Sequence, residues 1–157
     1  MTTTNQTIVM ATGVFDILHL GHIYYLEQSK KLGDKLYVVI ARDSTAESKK
    51  GKPFNDEKTR MQVIKALHCV DEVILGDKDF EKKHMNVIKK IHPNIVTIGH
   101  DQKHNPKEMS QRILDATNIR VMIKKIPKYR GKFNKTSDIL QQIYTHQQHK
   151  LSKHPQA

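Results

Sequence analysis

Apolar residues along the chain fall into short unbroken runs that alternate with longer stretches at helical spacing. Ile8 to Thr12 is a short apolar run ending at Gly13, and predicts a strand. Leu20 to Leu32 places Ile23, Leu26 and Leu32 among polar residues and stops at Gly33, so it predicts a helix with a glycine terminator. Leu36 to Ala41 is continuously apolar and β-branched, the pattern of a central strand buried on both faces. From Arg42 to Asn55 the chain turns polar and is broken by Gly51 and Pro53, which predicts a mobile loop with a short helix at its start. Asp56 is placed to cap a helix running to about Cys69, with Met61, Ile64, Leu67 and Val70 on its apolar face. Further on, the pattern predicts a strand at Val73 to Leu75, a helix from about Phe80 to Ile91 and a strand at Ile95 to Ile98. A helix from Pro106 to Thr117, a strand at Arg120 to Ile123 and a last helix from Thr136 to about Gln147 complete the series.

Strands alternating with helices predict an α/β fold, a parallel sheet with helices on both faces. At 157 residues, 37% of them hydrophobic, the chain suits one compact domain and not two. We place that domain at 7–144, with a flexible N-terminus at 1–6 and a flexible, basic, His-rich tail at 145–157. No apolar run approaches the ~20 residues that span a bilayer, and no signal peptide is evident, so no membrane partner and a cytoplasmic location are expected. Cys69 is the sole cysteine; it rules out an intrachain disulfide and sits in a core pattern. A net charge of +11 favours polyanionic ligands, nucleotides or nucleic acid alike.

The choice between them comes from Gly13 to His22, where a strand runs into Gly13 and His19 and His22 bracket the start of a helix. In an open α/β sheet this turn lies at the carboxyl end of the strand, where ligands bind. Free N–H groups and the positive dipole end of the helix attract phosphate there. Gly21 allows close approach of a phosphate to the backbone. Two imidazoles three residues apart can donate to one phosphoryl group as charge builds on its equatorial oxygens during in-line attack. Helix capping or ligation of a metal is the plainer alternative for these histidines; we assign the protein no metal site of its own.

The string Gly-Val-Phe-Asp-Ile-Leu-His-Leu-Gly-His resembles the signature of the cytidylyltransferase-like nucleotidylyltransferases. The resemblance spans about residues 7 to 144 and includes Lys31 to Asp34, Ala41-Arg42-Asp43, Arg60, Val70 to Val73 and Gly99 to Gln102 in the same order. It implies a Rossmann-like, doubly wound, five-stranded parallel sheet in a single domain. It implies that His19 and His22 stabilise the transferring phosphate, that Asp16 supports the site, and that Arg60 binds phosphate. Thr12, Gly13, Val14, Phe15, Asp16, Gly21, Gly99, Asp101 and Tyr129 would join the two histidines at the nucleotide. Lys49 and Lys52 resemble lysines that bridge acceptor and nucleotide phosphates, with Asp43 and Arg130 also on the acceptor side. Thr136 and Ser137 match a hydroxyl pair that binds phosphate at a helix start, although Lys135 stands where a serine is usual.

Three segments resemble archaeal FAD synthases more than the glycerol-phosphate enzymes: Ala41 to Asp43, Gly99 to Gln102, and Tyr129 to Gly131 with the basic stretch after it. The implied reaction moves AMP from ATP to FMN, with Mg²⁺ on the triphosphate, and ATP is favoured over CTP. Basic and aromatic residues from Lys128 to Phe133 suit a phosphate and an isoalloxazine ring. A cytidylyltransferase for glycerol 3-phosphate or a similar alcohol stays open, as does a nucleic-acid-binding module on the same fold. The lysines are spread along the chain with no recognition motif, which weighs against nucleic acid as a partner. Relatives imply a homodimer.

Overall fold

The computed structural model describes residues 6–78, 84–132 and 135–153, the side chains of 49, 50 and 151–153 excepted. Strand β1 (Ile8–Gly13) leads into helix α1 (Leu20–Lys30) and strand β2 (Lys35–Ile40). Two helices follow, α2 (Asp43–Lys50) and α3 (Glu57–Lys65), then β3 (Glu72–Leu75), α4 (Met85–Ile91) and β4 (Ile95–Ile98). Helix α5 (Pro106–Thr117), strand β5 (Met122–Lys125) and helix α6 (Thr136–Lys153) complete the order. The sheet runs β3-β2-β1-β4-β5 with every neighbouring pair parallel, a doubly wound Rossmann-like α/β fold.

The unbroken apolar runs follow from this placement, because a parallel strand flanked by helices buries alternate side chains on opposite faces. Val9 and Ala11 of β1 with Leu36, Val38 and Ile40 of β2 pack toward Leu26 of α1 and Ile64 of α3. Met10 and Val39 point the other way, toward Val87, Ile88 and Ile91 of α4 and Ile113 of α5. Cys69 is buried in the first of these clusters, as its sequence position implies.

Several boundaries differ from the sequence pattern. Helix α3 ends at Lys65 and not near Cys69; Ala66 caps it and a tight turn, Val70 N–H to Leu67 O at 3.0 Å, carries the chain to β3. Strand β5 lies two residues later than its apolar run suggests, because its register is set by β4, where Ile95 pairs with Met122 and Ile98 with Lys125. Helix α6 continues to Lys153, past Gln147 and through 145–153 where the sequence suggests a tail. The start of the helix foreseen from Phe80 lies outside the described residues, which resume in time for α4 at Met85.

Because β1 is central, with β2 on one side and β4 on the other, the chain reverses its winding direction there. The crevice at a doubly wound sheet's carboxyl edge opens at this point. The loops after β1, β2 and β4 therefore form its walls.

Candidate active site

Strand β1 ends at Gly13, and the turn that follows folds the Phe15 ring back over it. A Cβ at Gly13 would stand 2.6 Å from that ring, so only glycine fits. Phe15 adopts φ 50°, a left-handed conformation that is unfavourable for a bulky residue. Burial of the ring, 3% exposed, offsets the strain. The ring meets His22 edge-on at 5.2 Å between centroids and lies parallel to Tyr25 at 6.3 Å.

His19 is the N-cap of α1, with extended backbone (φ −145°, ψ 169°). Its Nδ1 accepts from the His22 N–H at 3.3 Å. That bond leaves the Nε2 edge of His19 turned away from the helix end. The two imidazoles stack at 3.7 Å between centroids with 18° between planes. Thus the turn brings both predicted histidines to one place at the first turn of α1, with Gly21 between them, at the carboxyl end of the central strand.

Asp16 supports the neighbouring wall. Its carboxylate accepts from the Phe54 N–H and the Asn55 N–H, both at 2.7 Å, and the Asn55 side-chain amide donates to the Asp16 carbonyl at 3.0 Å. The aspartate therefore fixes the end of the 51–56 loop to the turn that follows β1. Lys52, two residues before Phe54, is exposed on this loop. Lys49 falls in α2 on the same excursion, its side chain outside the described ones.

Arg60 and Asp43, foreseen as phosphate and acceptor ligands, are engaged with the protein. The Arg60 side chain has 0% exposure and donates to Asn55 O at 3.1 Å, Val14 O at 2.6 Å, Ala41 O at 2.9 Å and Asp43 Oδ1 at 2.6 Å. One guanidinium thus binds the loops after β1 and β2 to α3. Its rigid fork of donors suits three carbonyls and a carboxylate converging from different directions. Asp43 and Glu57 cap each other's helices: Asp43 N–H donates to Glu57 Oε2 at 3.0 Å, and Glu57 N–H to Asp43 Oδ2 at 3.1 Å. Arg42 completes the cluster with Glu57 Oε1 at 2.8 Å and the Gly76 carbonyl at 3.0 Å. Glu57 was not among the residues the sequence singles out; its place one after the Asp56 cap is the only signal it carries.

On the opposite wall, Gly99 follows β4. A Cβ there would come within 3.0 Å of Asp101 Oδ1, and the Gly99 N–H donates to Gln102 Oε1 at 3.1 Å, so this short loop is closed on itself. Asp101 is exposed. Beneath it, the Tyr25 hydroxyl donates to Thr97 O at 2.9 Å and lies 3.1 Å from Thr97 Oγ1, which also accepts from Ser29 Oγ at 2.9 Å. Burial pushes the Tyr25 hydroxyl up to about 12, opposed by its bond to Thr97. This polar network joins the helix that carries the histidines to β4. Helical periodicity does not reveal it, because Tyr25 and Ser29 read as ordinary helix residues.

Tyr129, after β5, packs against Tyr24 of α1 at 5.5 Å between ring centroids and lies over Gly131, where a Cβ would strike its ring. Arg130 is exposed. Thr136, half-buried, and Ser137, exposed, open α6. Phe133, at the end of the stretch foreseen for the flavin, lies outside the described residues.

With this geometry in view, the model of the cytidylyltransferase-like family matches residues 10–142. The chain belongs to that family. Within it, the FAD synthase of Thermoplasma volcanium is 47% identical over 135 residues, 86% of this chain and 92% of the relative. The FAD synthase of Thermococcus sibiricus is 39% identical over 145 residues, covering 91% and 96%. A crystal structure from Thermoplasma volcanium, described as a lipopolysaccharide core biosynthesis protein, is 48% identical with a TM-score of 0.73, covering 79% of this chain and 98% of the other. The matched span contains every residue of the turn, both walls and the first turn of α6. No helix among the described residues is long and apolar enough to cross a membrane.

Proposed function

We propose that this chain is an FAD synthase, which transfers AMP from ATP to FMN and releases pyrophosphate. The observation that carries the reading is the stacked His19/His22 pair at the N-terminus of α1, on the central strand of a chain that resembles FAD synthases over most of its length.

An oxygen of the FMN phosphate attacks the α-phosphorus of ATP, a new P–O bond forms, and the bond to the β-phosphate oxygen breaks as pyrophosphate leaves. The acceptor phosphate is already ionised, so no general base is required, and catalysis rests on alignment and charge stabilisation. His19 and His22 donate hydrogen bonds to the α-phosphate oxygens as negative charge accumulates on them. Lys49 and Lys52 draw the two phosphates together, and Arg130 contributes on the acceptor side. Thr12 to Asp16 line the turn, Gly99 and Asp101 face the nucleoside, and Tyr129 closes that side through Tyr24. Thr136 and Ser137, at the N-terminus of α6, receive the β- and γ-phosphates. Arg60 and Asp43 act at one remove, by holding the loops.

No group of three or more His, Cys, Asp or Glu side chains suited to a metal ion occurs among the described residues. In this proposal Mg²⁺ would arrive with the triphosphate. When bound, the ion neutralises charge on the β- and γ-phosphates. A homodimer working in the cytoplasm completes the proposal.

Incubation with ATP or CTP, Mg²⁺ and either FMN or glycerol 3-phosphate, followed by chromatography, tests the reading. FAD from ATP and FMN is expected. CDP-glycerol in the absence of FAD would overturn it.

A further inference from the structure

Phe54 presents an anomaly: it is 84% exposed, the most exposed of the large apolar residues among those described, while its backbone is held by hydrogen bonds. The Phe54 N–H is held by Asp16 Oδ2 at 2.7 Å, and Asn55 is held by the same carboxylate at 2.7 Å and, through its carbonyl, by the buried Arg60 at 3.1 Å. An apolar ring in water is unfavourable, and a floppy loop would let it turn inward. Here the backbone of Phe54 and Asn55 is pinned to Asp16, within the turn that leads to His19 and His22, so the exposed ring stands on a loop anchored to that turn.

We propose that Phe54 is a stacking platform for the isoalloxazine ring of the acceptor, a deepening that rests on the FAD synthase reading above. The side of the sheet decides between the two aromatic groups that enter. Phe54 lies on the β2 side of β1, on the loop that carries Lys52. Gly99 and Asp101 lie on the β4 side. Two substrates whose phosphates meet over Gly13 to His22 take one side each, with adenine over β4 and flavin over the β2 loops. Tyr129 is a weaker platform, since its ring already packs on Tyr24 and Gly131.

The test compares wild type, Phe54→Ala and Phe54→Trp. Because the ring touches solvent and the pinned groups are backbone, an unchanged melting temperature is expected in both variants. Phe54→Ala should raise KM for FMN about tenfold, the scale of one lost aromatic stack, with KM for ATP within about twofold and kcat retained. Phe54→Trp should keep the FMN affinity and quench flavin emission on titration. Titration of FMN needs no turnover, so a protein that binds FMN through residue 54 but makes no FAD would remove the proposed reaction and keep the platform. Equal FMN affinity in wild type and Phe54→Ala, or a rise in KM for ATP instead, would overturn the platform even if FAD is made.

Discussion

Replacing Arg60 by Met keeps much of the buried volume and removes every donor. Four hydrogen bonds disappear, three of them to the carbonyls of Asn55, Val14 and Ala41. Asp43, 41% exposed, regains water when its partner is lost, whereas the buried Ala41 carbonyl does not and the part-buried Asn55 and Val14 carbonyls do so only in part. The carboxylate left behind is rehydrated, so the loss comes from the three carbonyls, about 1–3 kcal/mol for each that stays without a donor. A loss of about 4 kcal/mol corresponds to a fall in Tm of about 8–16 °C for a chain of this size. Thermal unfolding followed by circular dichroism reads the stability, and steady-state kinetics well below the new Tm read the site. Arg60→Lys should fall nearly as far, because an ammonium cannot reach the same divergent acceptors. A Tm within 2 °C of wild type in Arg60→Lys, together with a large rise in KM for ATP, would refute the assignment and return Arg60 to direct contact with phosphate.

Three further outcomes are expected. His19→Ala and His22→Ala should each lower kcat by about 10² to 10³ in rate, with Tm nearly unchanged; activity equal to wild type in both would remove them from the reaction. In a spectrophotometric alkaline titration, Tyr25 should keep its proton to about pH 12, and Tyr25→Phe should delete that late component and cost about 1 kcal/mol of stability. Asp71 is opposed by partial burial, but its bonds from Lys30 Nζ at 2.7 Å and the Leu36 N–H at 2.6 Å hold its carboxyl below the usual range. A depressed carboxyl adds stability above its unfolded pKa that is lost as pH falls through the folded one. Asp71→Asn should therefore be less stable than wild type at neutral pH, with the gap closing in acid; a gap that widens toward low pH would contradict the assignment.

Strands β1, β2 and β4 and helix α5 were readable because each has a simple environment, a strand covered on both faces or a helix with Asn105 and Pro106 at its start. Strand β5 was displaced in the reading because Lys124 and Lys125 are exposed at a sheet edge, where no burial enforces an apolar pattern. Helix α2 has almost no apolar residue, and what starts it is the carboxylate of Glu57, fourteen residues away. The histidine turn was legible since its residue types are needed for chemistry. Arg60 drew attention as a phosphate ligand, but apart from Asp43 its partners are main-chain carbonyls, which carry no residue signature. Phe54 escaped notice for the opposite reason: an apolar residue in sequence says burial, and only the fold shows it bare.

The mutual capping of Asp43 and Glu57 closes the segment between them into a ring stapled at its base, independent of what lies inside. Loop entropy rises slowly with length, by about 0.6 kcal/mol for each doubling. The stretch from Lys50 to Lys52 is thus a natural port for inserted residues or a reporter tag: the fold should accept the cargo, and only the chemistry that depends on the loop lysines should register it.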